Sequence, residues 1–107
     1  MTIVKVPRNG TGKRPQRVYA VQYAGGLVKI GQTTKTLNRR KHALRKVGHI
    51  VREYEWPMEE YFVDLRQLEK ACLDRMPMAP CIGREWFHVD FDEACAVVED
   101  VLRENDL

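Results

Sequence analysis

Residues 18–46 read VYAVQYAGGLVKIGQTTKTLNRRKHALRK, and this stretch decides the fold. Two alternating apolar segments, residues 17–23 and 27–32, flank Ala24-Gly25-Gly26, and this arrangement is typical of a β-hairpin. A basic amphipathic segment follows up to about Val47 and has the spacing of a helix. The sequence therefore predicts a hairpin that leads directly into a basic helix, with no acidic residue in either element.

The hairpin allows two registers, which differ in the faces that its side chains share. A two-residue Gly25-Gly26 turn would place Tyr19 and Lys29 on opposite faces of the sheet. A three-residue loop, residues 24–26, pairs Val21 with Lys29 and makes Tyr19 and Lys29 diagonal neighbours on one face. We expect the three-residue loop because it leaves a purely apolar opposite face, which consists of Val18, Ala20, Val28 and Ile30.

The rest of the chain predicts a single α+β domain over residues 17–107, a small antiparallel sheet with three main strands flanked by helices. The further elements expected are a strand over 49–56, a helix over 59–76, a short strand over 85–89 and a last helix to about residue 103. Residues 1–16 are basic and rich in Gly and Pro, so we expect a flexible N-terminal arm.

The charge is divided unevenly along the chain. Residues 1–48 carry a net charge of +12 and no acidic residue, whereas residues 49–107 carry −9. Such a split favours a polyanionic partner for the first half, and we expect DNA. No apolar run approaches the roughly 20 residues of a membrane span, and no signal peptide is recognisable, so a cytoplasmic location without membrane association is expected.

Two charged residues interrupt the apolar faces of predicted helices. Arg40 lies three residues after Leu37 and four before Leu44, so it falls within their inward stripe. Glu69 falls within a second stripe, made by Phe62, Leu65, Cys72 and Met76. Each charge has a structural explanation: Arg40 can extend to solvent or pair with a carboxylate, and Glu69 can reach water at the rim of the core. Alternatively Glu69 binds a cation, either Arg40 or a metal such as Mg²⁺.

Five elements in order resemble the GIY-YIG nuclease superfamily, in particular its phage-type branch. They are VYAV, VKIG, an arginine in the next helix, a glutamate in a later helix (LEKACL), and GREWFHV. The resemblance covers residues 17–102. Its departures are Arg17, where the first motif has glycine, and Cys72, where the branch often has histidine after the glutamate.

The resemblance implies an endonuclease that hydrolyses DNA phosphodiesters with one divalent metal ion, Mg²⁺ or Mn²⁺. Glu69 matches the metal ligand, and Arg40 matches the helix arginine that stabilises charge at the phosphorus. Tyr19 matches the tyrosine of the first motif, which would position or deprotonate the attacking water. Lys29 replaces the usual second tyrosine and would act either as a base or as a phosphate ligand.

Six further basic residues are expected to contact DNA. They are Arg17, Lys35, Arg39, Lys41, Arg45 and Lys46. A domain this small has few elements for reading bases, so sequence specificity would require a homodimer or another partner. The alternatives to cleavage are a non-catalytic, regulatory DNA-binding module of the same fold and a protein-interaction role for the acidic half.

Overall fold

The computed structural model describes residues 3–8 and 15–107 of the chain. The fold is α+β, with two antiparallel sheets and three helices. The elements in order are β1 (Lys5–Pro7), β2 (Arg17–Tyr23), β3 (Leu27–Thr33), α1 (Leu37–Leu44), β4 (Ile50–Pro57), β5 (Tyr61–Val63), α2 (Leu65–Asp74), β6 (Trp86–His88) and α3 (Phe91–Glu104).

The β2–β3 hairpin forms the centre of a four-stranded sheet with the order β4-β2-β3-β6. Val21 pairs with Lys29 and Tyr19 pairs with Gly31, so the predicted three-residue loop is confirmed. In that loop Gly25 and Gly26 have φ values of 101° and 97°, a conformation that residues with a Cβ rarely adopt. The two glycines are therefore what allows the short connection and fixes the register.

The two faces of the hairpin bury different parts of the core. Val18, Ala20, Val28 and Ile30 pack under α2 and α3 in the larger cluster, as the alternation predicts. The opposite face carries a smaller cluster with α1, made by Tyr19, Val21, Tyr23, Leu37 and Leu44. The sheet thus separates α1 from the other two helices.

The first helix is shorter than the sequence predicts. The Thr36 hydroxyl accepts a hydrogen bond from the backbone N–H of Arg39 and caps the start of α1. The helix ends at Leu44, and Val47, which we expected to continue the inward stripe, is 62% exposed.

The predicted helix over residues 59–76 is wrong in its first third, because residues 61–63 form β5 instead. The helix begins only after Asp64, whose carboxylate accepts hydrogen bonds from the backbone N–H groups of Arg66 and Gln67. Phe62, assigned to a helical face, therefore lies in a strand.

Residues 3–8 belong to the segment that the sequence predicts to be a flexible arm, and the structure corrects this expectation for them. β1 pairs with β5 in a second, two-stranded sheet. Ile3 is only 2% exposed, and its N–H donates to the side-chain oxygen of Asn105. Gln16 is also tied to the domain, since its amide group both donates to and accepts from the backbone of Val63. The remainder of the predicted arm, residues 1–2 and 9–14, lies outside the described residues.

None of the helices in the described part of the chain is both long enough and apolar enough to cross a bilayer.

Candidate nuclease site

The side chain of Tyr19 lies under α1 in contact with Arg40. Tyr19 is on a central strand, β2, and is only 1% exposed, while Arg40 projects from α1 towards it. The Arg40 Nε–H group donates a long hydrogen bond, 3.4 Å, to the Tyr19 hydroxyl oxygen. This bond and the charge interaction with Tyr19 raise the pKa of Arg40. The arginine that interrupts the apolar stripe of α1 is thus hydrogen-bonded to Tyr19.

Gly31 makes room for the Tyr19 ring on the neighbouring strand. A Cβ atom built on Gly31 would lie 2.4 Å from both the ζ carbon and the hydroxyl oxygen of Tyr19. Ordinary contacts between such atoms are about 3.5–4.0 Å, so no other residue fits here without moving the ring. Tyr19 can therefore occupy its position only because residue 31, the glycine of the K-I-G sequence, has no side chain.

Lys29 is a buried cation on the same face of the sheet. It is 7% exposed, and its Nζ atom lies 5.3 Å from the centroid of the Trp86 ring on β6. Trp86 also packs against the ring of Tyr23. Among the described residues Lys29 forms no ion pair, so its ammonium group is available to an anionic ligand at the edge of this aromatic cluster.

Glu69 lies on α2, within the electrostatic field of the hairpin and of α1. Burial and the charge of Glu85 raise the pKa of Glu69 above its usual value. Three positive charges oppose this shift, those of Lys29, Arg84 and Arg40. Arg40 and Lys29 therefore act on the same carboxylate, and Tyr19 is in direct contact with Arg40.

β6 is short and leaves part of the edge of β3 uncovered. β6 pairs with β3 only over Leu27–Lys29, and the N–H of Ile30 then donates to the carbonyl of Glu85 at 3.2 Å. Beyond Ile30, no described strand pairs with this side of β3. α2 packs against β3 from one face, while Tyr19 and Lys29 lie on the other. We attribute the action of Lys29 and Arg40, on that other face, on the Glu69 carboxylate to this open end of β3.

Glu85 is a site residue that the residue-by-residue interpretation of the sequence missed. It directly precedes β6, and its charge acts on both Glu69 and Arg40. The only signal for it was its place in the E-W-F motif, since no periodicity or helical face marks it. Its role depends on where β6 ends, which is a tertiary feature.

An open groove surrounds Glu69 on the α2 side of the sheet. Its lining consists of Gln32, Arg66, Glu69, Lys70, Leu73, Gly83, Arg84 and Glu85. The groove therefore combines two carboxylates with three basic residues from the second half of the chain.

The six basic residues expected to contact DNA fall into two groups. Lys35, Arg39, Arg45 and Lys46 are exposed, and none of them forms an ion pair with another described residue. In contrast, Arg17 lies 3.4 Å from the carboxylate of Glu55, and Lys41 lies 2.8 Å from that of Glu53. The charges of Arg17 and Lys41 are thus already compensated by β4.

Which metal ion the site could hold depends on the number of carboxylates that it offers. In the described ranges, 3–8 and 15–107, no three His, Cys, Asp or Glu side chains come together as a metal cage. Mg²⁺ does not need such a cage, since it is commonly held by one or two carboxylates together with waters and substrate phosphates. Glu69 and Glu85, which line the same groove, are the two carboxylates that could hold such an ion.

Comparison with known protein families gives a match over most of the chain. The family model of the T5orf172 domain, a phage-associated, nuclease-like domain, matches residues 16–102. No curated protein and no solved structure matches the chain. The match includes both strands of the hairpin, α1, α2, β6 and the loops between them, and so covers every residue of the site described above.

Proposed function

The chain belongs to the T5orf172 domain family, and on that premise we propose that it is a small GIY-YIG-type endonuclease that hydrolyses DNA phosphodiester bonds. The observation that carries the proposal is the juxtaposition at the open end of β3. Arg40 contacts Tyr19 there, and the charges of Arg40 and Lys29 both act on Glu69. A phosphodiester at this place would meet positive groups from the hairpin and α1, and a carboxylate from α2.

Glu69, with Glu85 beside it, would hold the divalent ion, Mg²⁺ or Mn²⁺. When bound, the ion supplies positive charge to the phosphate oxygens and to the leaving 3′ oxygen. The raised pKa of Glu69 reflects a carboxylate whose charge is poorly solvated and is opposed by Glu85. Both effects favour the approach of a cation.

Arg40 and Lys29 would bind the scissile phosphate. The guanidinium of Arg40 is restrained by Tyr19, so it offers a fixed positive charge where negative charge builds up on the phosphate oxygens. Lys29 is buried against Trp86 and provides a second positive group that needs no reorganisation on binding.

Tyr19 would position the attacking water. Its hydroxyl oxygen accepts the Arg40 Nε–H group, which leaves the phenolic O–H to donate to the water or to a phosphate oxygen. Tyr23 has a different, structural role, since its hydroxyl donates to the backbone carbonyl of Leu44 at 2.9 Å and so holds α1 on the sheet.

The exposed cations of α1 and the segments beside it would contact flanking phosphates. Lys35, Arg39, Arg45 and Lys46 provide up to four such contacts on one side of the site. Each phosphate contact adds about 0.9 to the slope of the logarithm of affinity against the logarithm of salt concentration. DNA binding by this surface should therefore weaken steeply as salt is added.

A plasmid-nicking assay tests the proposal. Wild-type protein should nick supercoiled DNA in Mg²⁺ or Mn²⁺ and lose this activity in EDTA. Glu69→Gln should be inactive while keeping its thermal unfolding midpoint and binding DNA at least as tightly as wild type, because it removes a negative charge from the site. The matched control is Glu99→Gln, an exposed glutamate on α3, which should cleave like wild type. Metal-independent nicking, or full activity of Glu69→Gln, would contradict the proposal.

A non-catalytic DNA-binding module is the second candidate, and the position of the α1 cations supports it. Their surface does not include Glu69, so it can hold DNA whether or not the site cleaves. A pure binder would hold DNA equally well in Mg²⁺ and in EDTA, and would show no nicking with either metal at any enzyme concentration.

A further inference from the structure

The groove around Glu69 carries positive charge from the half of the chain that is acidic overall. Arg66 lies on α2, three residues before Glu69 and so on the same side of the helix. Arg84 lies in the turn before β6, and its charge acts directly on Glu69. Both arginines are exposed, and neither side chain forms an ion pair within the described part of the chain.

The third basic residue of the groove is already neutralised. The Nζ atom of Lys70 lies 2.7 Å from a carboxylate oxygen of Asp74, one turn further along α2. Arg66 and Arg84 are thus the two positive groups of the groove lining that form no ion pair with a described residue, and both line the groove together with Glu69.

The turn that carries Arg84 is held in place by its neighbours. The N–H of Cys81 donates to the carbonyl of Trp86 at 2.8 Å, and Ile82 forms an isolated bridge with the same residue. Gly83 has a positive φ of 57°, which closes the turn. The chain then enters the core at Phe87, which is 1% exposed. Arg84 therefore projects from an anchored turn.

We propose that Arg66 and Arg84 form a second phosphate-binding rim, on the α2 side of the sheet, that contacts the DNA backbone beside the scissile phosphate. This inference rests on the proposed function. α1 lies on the other face of the sheet, so its cations reach the backbone on one side of the site only. Glu69 and Glu85 repel a polyanion, and positive groups on the α2 side offset that repulsion where the strand leaves the site.

Salt-dependent binding to a short DNA duplex, measured by fluorescence anisotropy in EDTA, tests the rim. The double variant Arg66→Ala/Arg84→Ala should lower the steepness of the logarithmic salt dependence by about 2, because two phosphate contacts are lost. The matched control is Arg75→Ala/Arg103→Ala, which removes the same charge. Those two arginines are ion-paired with Glu104 and Asp100 and do not line the groove. The control should keep the wild-type slope.

The outcomes separate the rim from the proposed function. If Arg66→Ala/Arg84→Ala keeps the control's slope while Arg39→Ala/Arg45→Ala on the α1 side lowers it, the rim is refuted and DNA binding through α1 stands. If the wild type has no salt-dependent affinity for DNA, the proposed function and the rim fail together. Thermal unfolding of each variant checks that the change is in binding and not in folding.

Discussion

Replacing Gly31 with alanine should damage the site by displacing Tyr19. The added Cβ would lie 2.4 Å from the ζ carbon and from the hydroxyl oxygen of Tyr19, more than 1 Å inside ordinary contact. Because Tyr19 is almost completely buried between the sheet and α1, its ring cannot move without disturbing its neighbours. Overpacking of this kind costs about 1–3 kcal/mol. A loss near 2 kcal/mol would lower the unfolding midpoint by about 10 °C in a domain of this size.

The same displacement should break the contact between the Tyr19 hydroxyl and Arg40, so nicking activity should fall further than stability alone explains. Gly48→Ala is the matched control, because its Cβ would meet the Tyr23 ring at 3.2 Å and needs only a small adjustment. A double-mutant cycle isolates the cause: in a Tyr19→Ala background the cost of Gly31→Ala should largely disappear. Urea unfolding gives the free energy of unfolding of the four proteins of the cycle, which are the wild type, the two single variants and the double variant, and of the Gly48→Ala control. An undiminished cost in that background, or a cost no greater than that of Gly48→Ala, would refute the reasoning.

Three other expectations follow from the packing. Tyr23→Phe removes the buried hydrogen bond to the carbonyl of Leu44, which then accepts only from the N–H of Val47, so urea unfolding should show a loss of about 1 kcal/mol; an unchanged midpoint would mean that the bond does not hold the helix. Ile3→Ala should lower stability by about 2–4 kcal/mol, as for a core residue; if residues 3–8 were detached in solution, the same variant would unfold like wild type. At pH 8 iodoacetamide should alkylate the exposed Cys81 first. Burial raises the pKa of Cys72 to about 12 and that of Cys95 to about 11, so both of these thiols stay protonated. Mass spectrometry that found Cys72 modified first would contradict its place in the hydrophobic core.

The hairpin could be predicted because its signals are local. Alternation of apolar residues sets the two faces, and a glycine pair sets the loop, so the pairing of Val21 with Lys29 follows from a few neighbouring residues. β1 and β5 could not be predicted in this way. Each has three residues, and their pairing joins Lys5 to Val63 across most of the chain. The apolar residues of β5 also continue the helical stripe of α2, and only the capping carboxylate of Asp64 separates the two elements.

The site was predictable where a charge stood out against an apolar face. Arg40 and Glu69 were visible for that reason, and the resemblance supplied Tyr19 and Lys29. Glu85 and Arg84 were not visible, because their approach to Glu69 depends on where β6 begins and ends. Arg66 shares a side of α2 with Glu69, but as an exposed arginine it did not stand out from the sequence. The pairing of Arg17 with Glu55 likewise depends on the register between β2 and β4, which no local pattern reveals.

The shallow attachment of α1 has a consequence for how tightly any ligand is held. Its eight residues bury only Leu37 and Leu44, and a helix of this length is not stable by itself in water. It should therefore detach at a lower free energy than the central strands, and its amide hydrogens should exchange with solvent sooner. Because Arg40 lies on α1, a ligand that binds to Arg40 must also order this helix. The loss of conformational entropy in α1 then reduces the free energy of binding. A substitution that packs α1 more firmly on the sheet would then raise the affinity for the ligand without adding any contact to the ligand itself.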